Sequence, residues 1–389
     1  MGKIALTAIK ADIGSIGGHI KPSVAILDQV KSVISRETAL KDFRITYTGD
    51  DILMLLAHQE GVGSRLIHGL ADRAFRQATE TAKQQGLYGA GQDLLTDAFS
   101  GNIKGAGPGI AEMELEERPT EAFLVFAADK TDPGAYNLPL YLAFADPMYC
   151  SGLLLAPHLQ KGFTFTIIDV NYAECKKCGH FHFTDQRCQE APKDNPRGDR
   201  LIKLSAPEDV YKIAALLRDG ERFAVQAIHS RHDGTQAATV STTRLHNIAG
   251  KYTGKDDPCA IVRVQSSFPA TGEVLAPFAL GHLVAGFMRG SHNGPLMPVK
   301  QNEIISFFDG PPIVSCAAYC VKDGKFTEAA DTFDQPFWDY IRHEVARKAV
   351  DIRRQGFFGA AMLPMSELEY GGIVSILESL DKQFEVIAT

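Results

Sequence analysis

Carboxylates stand at the ends of several separate strand-like runs, and that recurrence limits the folds open to this chain. The alternating stretch 3–11 stops at Asp12. The alternating stretch Asp42 to Thr48 stops at Gly49-Asp50-Asp51. The apolar run Glu121 to Ala128 delivers Asp129-Lys130, and a further pair, Asp256-Asp257, precedes the apolar run Ala260 to Gln265. One acid after a strand also reads as the N-cap of a following helix. That explains one of Asp50 and Asp51 but does not need both. Acids at several strand ends are accounted for together if those ends converge on one rim of an α/β sheet, where carboxylates share divalent ions. Lysines beside them, such as Lys130, offset the charge and contact phosphate oxygens.

Between these runs the periodicity is helical. Val24, Ile26, Leu27, Val30, Val33 and Ile34 follow helical spacing, and residues 63–85 read as an amphipathic helix. Further strands are expected near 161–170, 221–229 and 236–243, with another running to Cys320. A long helix is expected from about Gln335 to Gln355, and a closing helix over 366–383, where Ser366 and Glu369 fit a capping box. No internal repeat or linker interrupts the pattern, and the acidic positions come from both halves of the chain. One domain over residues 1–389 is therefore expected.

Composition excludes several classes. A net charge of −7 and a pI of about 6.0 argue against a nucleic-acid binder. No run approaches the ~18 apolar residues of a membrane helix. Met1-Gly2-Lys3-Ile4 runs into the first strand pattern without a signal-peptide layout, so a cytoplasmic protein is expected. Seven cysteines, an odd number, fit reduced thiols.

Other stretches carry reactive groups. Asp12-Ile13-Gly14-Ser15-Ile16-Gly17-Gly18-His19 is a glycine-rich turn between an acid and a histidine. The segment from Leu87 to Gly109, including Tyr88 and Gln92, is too rich in glycine to be helix interior. It suits close backbone approach to phosphate. In Gly250-Lys251-Tyr252-Thr253-Gly254-Lys255-Asp256-Asp257-Pro258, Lys255 supplies an amine for Schiff-base chemistry, Tyr252 a phenol for proton transfer, and the aspartates hard oxygen ligands. Taken alone, this stretch also reads as a charged surface turn. Arg289-Gly290-Ser291-His292 is suited to gripping a phosphate, and Asp309 to accepting from sugar hydroxyls. At about 172–199 the character changes. The spacing Cys175-x2-Cys178-x-His180 resembles half of a zinc knuckle, which Cys188 or His182 can complete; a flexible insertion whose cysteines bind nothing fits the same residues.

Together the blocks resemble one family, the archaeal and deep-bacterial fructose-1,6-bisphosphate aldolase/phosphatases (class V fructose-1,6-bisphosphatases). The resemblance covers nearly the whole chain outside 172–199. Its motifs are Lys10-Ala11-Asp12-Ile13-Gly14, Gly49-Asp50-Asp51, Tyr88-Gly89-Ala90-Gly91-Gln92-Asp93, Asp97-Ala98-Phe99-Ser100-Gly101-Asn102, Ala128-Asp129-Lys130-Thr131, Tyr252 to Pro258, Phe268-Pro269-Ala270, Met288 to His292 and Phe308 to Pro312. It implies a four-layer α-β-β-α sandwich, a homo-octamer, and a bifunctional Mg²⁺ enzyme of gluconeogenesis. Such an enzyme condenses dihydroxyacetone phosphate with glyceraldehyde 3-phosphate through a lysine Schiff base. It then removes the C1 phosphate to give fructose 6-phosphate. By this resemblance Lys255 is the Schiff-base lysine and Tyr252 the proton-transfer residue. Asp12, His19, Asp50, Asp51, Gln92, Asp129, Asp256 and Asp257 fall at metal or metal-linked positions. His19, Tyr88, Gln92, Lys130, Gln265, Arg289, Asp309 and Tyr370 fall at substrate-contacting positions.

Two features depart from a simple carry-over. Adjacent aspartates raise the pKa of Lys255 and leave it poorly nucleophilic. Metal bound by those aspartates removes that effect, so the aldolase step is expected to require metal. Near the C-terminus, Asp351 stands where the family usually has tyrosine and Phe357 where it has proline, and Gly359-Ala360-Ala361-Met362-Leu363-Pro364 lacks the usual His-Arg pair. A diverged relative acting on another sugar or keto phosphate is the alternative.

Overall fold

A computed structural model describes residues 3–94, 107–169, 201–220, 222–244, 256–280, 294–304 and 311–355. The strands are β1 (Lys3–Asp12), β2 (Leu40–Thr48), β3 (Asp51–His58), β4 (Gly109–Glu116), β5 (Glu121–Asp129), β6 (Phe163–Asp169), β7 (Leu201–Ala206), β8 (Phe223–Ser230), β9 (Gln236–Val240), β10 (Thr243–Arg244), β11 (Cys259–Val264), β12 (Met297–Pro298), β13 (Ile313–Lys322), β14 (Lys325–Phe326) and β15 (Ala330–Asp331). The helices are α1 (Val24–Ile34), α2 (Arg65–Gln84), α3 (Asn137–Ala145), α4 (Gly152–Leu155), α5 (Val210–Leu217), α6 (Thr271–Leu275) and α7 (Pro336–Gln355).

Two sheets form. The first has the order β10-β4-β1-β3-β2 and is antiparallel throughout. The second runs β12-β13-β5-β11-β9-β8-β6-β7, with β14 and β15 added on β13; among the described residues only the β12–β13 pair is parallel. Antiparallel sheets can be faced differently on their two sides, and alternation does that here. On β1, Ile4, Leu6 and Ala8 point toward the second sheet, where they meet Phe123, Val125 and Ala127 of β5 and Cys259 and Ile261 of β11. The intervening Ile9 and Ala11 point the other way, onto Ile26 and Val30 of α1 and Leu70, Ala74 and Phe75 of α2. On β5, Leu124, Phe126 and Ala128 face the opposite layer, with Leu140 and Phe144 of α3, Ile213 of α5 and Trp338, Ile341 and Val345 of α7. The result is the expected α-β-β-α sandwich. Each fully buried large aliphatic or aromatic side chain contributes about 1.5–3 kcal/mol to holding these layers.

The helices over the first sheet start at side-chain caps. Ser23 Oγ accepts from Ile26 N–H at 3.3 Å and Ser64 Oγ from Ile67 N–H at 3.4 Å. The Asp50-Asp51 pair does stand at a strand end, and the alternative of a helix N-cap for one of them does not hold: β2 turns back directly into β3, with Thr48 opposite Asp51 and Gly49 at φ +58° in the turn. The expected helix 366–383 lies outside the described residues.

Candidate active site

The last rung of the β1–β3 ladder pairs Asp12 with Asp51, so the end of β1 and the β2–β3 turn lie side by side. The second sheet brings β5 to the same place. Asp50 N–H donates to Asp129 Oδ2 at 3.4 Å, although these residues belong to different sheets. Here the structure differs from the expectation of a single sheet rim: the carboxylates gather on the shared edge of two sheets.

That approach is tight. At Gly49 a Cβ would lie 1.7 Å from Asp129 Oδ2, and the φ of +58° is one that L side chains rarely adopt. Glycine at 49 is therefore a requirement of the site. Lys130 at φ +62° and Asp257 at φ +55° hold the same left-handed conformation without that freedom. Hydrogen bonds between the two loops offset the cost: Thr131 N–H donates to Asp257 Oδ1 at 2.7 Å, Asp257 N–H to Thr131 O at 3.0 Å, and Ala128 N–H to Pro258 O at 3.1 Å. The buried Tyr136 hydroxyl donates to Pro258 O at 2.8 Å. The Asp256-Asp257 segment is thus pinned to the end of β5, beside Asp129.

The charges arrange themselves around Asp50. Lys130 Nζ donates to Asp50 Oδ1 at 2.6 Å and lies 2.9 Å from Asp129 Oδ1. The Asp129 contact lacks hydrogen-bond geometry, so that oxygen is a buried acceptor without a donor. His19 Nδ1 lies 3.0 Å from Asp50 Oδ2, and its ring meets the edge of Tyr88 at 4.9 Å between centroids. Asp51 pairs with the fully buried Lys10.

Burial pushes the Asp12 carboxyl well above the usual range, reinforced by Asp50, Asp51 and Asp93. Burial also raises Asp129; Lys130 opposes the rise, while Asp50, Asp51 and Asp257 add to it. For Asp50, burial is overcome by the Lys130 ammonium and by His19, which hold it far below the usual range. Burial would lower Lys130, but Asp129, Asp50, Asp257 and Asp51 outweigh it and raise it well above a free lysine.

Ligand atoms of Asp12, His19 and Asp50 lie within 4.8 Å of one another, as do those of Asp50, Asp51 and Asp129. Hard oxygen donors, buried, with one acceptor lacking a donor, fit a small divalent cation better than a soft one. Gln92 opens a short 3-10 turn, 92–94, behind Gly89 and Gly91. Its neighbour Asp93, which the sequence reading passed over, does the bracing: Oδ2 accepts from Asp12 N–H at 2.9 Å and Oδ1 from Gly107 N–H at 3.1 Å. Its only signal is its place in the Tyr88–Asp93 glycine-rich stretch. Gln265 follows the far end of β11 from Asp257, about 20 Å away along the strand, where its amide donates to Thr271 Oγ1 at 3.0 Å. The chain does not bring it to the carboxylates. Asp351 is exposed on α7, with Arg354 3.6 Å away. Tyr252, Lys255, Arg289, Asp309 and Tyr370 lie outside the described residues. So do Cys175, Cys178, His180, His182 and Cys188, together with residues 357–362.

The fold and the site define an α/β-sandwich enzyme built around a buried carboxylate centre. A family model described as Fructose-1,6-bisphosphatase matches residues 3–385. Relatives named fructose-1,6-bisphosphate aldolase/phosphatase are similar along the whole length. The Thermus thermophilus protein is 52% identical over 98% of this chain and 99% of its own. The Ignicoccus hospitalis protein is 45% identical over 99% and 94%, and the Methanothermobacter marburgensis protein 44% identical over 98% and 99%. The chain belongs to the fructose-1,6-bisphosphatase family. Among the described residues no helix is long and apolar enough to cross a membrane.

Proposed function

We propose that the chain is a bifunctional fructose-1,6-bisphosphate aldolase/phosphatase. The observation that carries this reading is the meeting of Asp12, Asp50, Asp51 and Asp129 from two sheets, with Asp256-Asp257 pinned beside them. Lys255 is the residue before Asp256. Carbon–carbon bond chemistry and phosphate removal can therefore share one centre.

In the first reaction the Lys255 amine adds to the ketone of dihydroxyacetone phosphate and water leaves. Tyr252 takes the proton from the hydroxyl-bearing carbon. That carbon bonds to the aldehyde carbon of glyceraldehyde 3-phosphate, Tyr252 returns its proton to the aldehyde oxygen, and hydrolysis of the imine with one water frees the lysine. In the second, Asp12, His19, Asp50, Asp51, Gln92, Asp129, Asp256 and Asp257 hold or brace the metal. Mg²⁺ held there would supply Lewis-acid polarisation of the C1 phosphoryl group and a lowered pKa for an attacking water. Lys130 turns from its carboxylate partners toward a phosphate oxygen. Arg289, Asp309, Tyr370 and Tyr88 contact the sugar phosphate, and Gln265, at the far end of β11, is given no part in it.

The same reading takes residues 1–389 as one catalytic domain that assembles as a cytoplasmic homo-octamer. Zn²⁺ held by ligands drawn from Cys175, Cys178, His180, His182 and Cys188 would make the 172–199 insertion structural.

The reading is tested by trapping. Purified protein is treated with dihydroxyacetone phosphate, Mg²⁺ and borohydride, then mapped by peptide mass spectrometry. A reduced adduct on Lys255 is expected. An unmodified Lys255, with phosphate still released from fructose 1,6-bisphosphate, would reduce the enzyme to a phosphatase.

A further inference from the structure

Lys10 is one of the largest fully buried side chains in the protein, at 0% exposure. By alternation it lies on the face of β1 that carries Ile4, Leu6 and Ala8 into the core between the sheets. Lysine is among the residues least often found there, and it persists only when paired. Its partner is Asp51, itself almost completely buried. A carboxylate oxygen of Asp51 also lies within 4.8 Å of oxygens of Asp50 and Asp129. Lys10 therefore touches the carboxylate centre from behind, from inside the protein.

Lys130 offers a contrast. It sits on the rim, 7% exposed, beside Asp50 and Asp129, where a substrate phosphate can draw it away. Lys10 is enclosed between the sheets, where no substrate phosphate can draw it away from Asp51.

We propose that Lys10 is a positioning residue: a fixed counter-ion behind Asp51 that lets the carboxylate centre fold before a divalent ion arrives and loosens its hold on that ion. The proposal rests on the metal reading of the site given above. Two effects compete. The ammonium steadies Asp51, which favours metal binding. It would also repel a dication that shares the same carboxylate, in a poorly screened interior. Fixing one aspartate side chain is worth little beside that repulsion, so the repulsion decides the sign. Removing the charge also takes the Lys10 ammonium away from the buried Asp51 carboxylate, a cost that bound metal can offset.

The test uses the full chain stripped of metal, as wild type, Lys10→Met and the double variant Lys10→Met/Asp51→Asn. Mg²⁺ binding is followed by titration calorimetry, and melting temperature is measured with and without Mg²⁺. Lys10→Met is expected to melt several degrees lower without Mg²⁺ and to recover most of that with it. Its Mg²⁺ dissociation constant is expected to fall by about tenfold or more. The double variant is expected to regain metal-free stability, and it does so even if Lys10→Met alone fails to fold. Equal losses with and without Mg²⁺, an unchanged or weaker Mg²⁺ affinity in Lys10→Met, or a double variant no more stable than the single one would overturn the proposal. Wild-type protein that takes up no Mg²⁺ would sink the metal reading, and this proposal with it. Mg²⁺ uptake by the wild type with no change in Lys10→Met would sink the role of Lys10 alone.

Discussion

Asp50 and Asp129 belong to different sheets, yet the backbone N–H of one donates to the side chain of the other at 3.4 Å. The site is a seam. Its carboxylates are held in place by the packing of two layers, so it depends on the inter-sheet core as much as on its own residues.

The seam makes Gly49 critical. Gly49→Ala places a methyl group against Asp129 Oδ2 and forces a non-glycine residue to φ +58°. The backbone cost alone is about 1–3 kcal/mol, and relieving the clash displaces Asp129. Denaturant unfolding should register at least that loss. Phosphate release should fall more than stability does. A variant with wild-type stability and rate would show that the two sheets do not meet at this distance.

Asp129→Asn separates chemistry from folding. It keeps the shape of a buried group whose pKa burial already pushes up, so metal-free stability should hold or rise. It removes a hard ligand, so Mg²⁺-dependent phosphate release from fructose 1,6-bisphosphate should fall by about 100-fold or more. An active Asp129→Asn enzyme would move the metal elsewhere.

The raised carboxyls give the metal-free protein a distinctive pH dependence. Asp12 and Asp129 have pKa values above those of the unfolded chain, so the folded state binds more protons. Their contribution to stability is therefore lost as pH rises from about 3.9 through the raised values. Asp50, held low by Lys130 and His19 against burial, acts in the opposite sense. Its contribution is present above about 3.9 and lost as pH falls through its lowered value. Melting curves of metal-free protein at increasing pH should show a decline that Mg²⁺ suppresses and Asp129→Asn flattens. The same decline in wild type and Asp129→Asn would contradict the assignment.

Much of the fold was legible, for reasons that particular elements make plain. β1, β5 and β11 announce themselves by apolar runs ending in or following acids, and α2 by one buried stripe from Ile67 to Ala82. β3 was not legible. Every residue from Asp51 to His58 is buried, because one face meets helices and the other meets the second sheet. A strand buried on both faces shows no alternation, and an aspartate at its start also reads as a helix N-cap. The candidate metal-ligating acids were readable one by one, but not the fact that they belong to two sheets. Lys10 and Asp93 stand in recognisable motifs, but their roles are not legible in the sequence because they come from partners 41 and 81 residues away.

The central claim is that one seam performs both reactions. The most direct measurement is product analysis after incubation with dihydroxyacetone phosphate, glyceraldehyde 3-phosphate and Mg²⁺, with no other enzyme present. The account predicts fructose 6-phosphate and inorganic phosphate in equal amounts, both abolished in Lys255→Met. Phosphate release from fructose 1,6-bisphosphate, with no sugar phosphate formed from the two trioses, would contradict it.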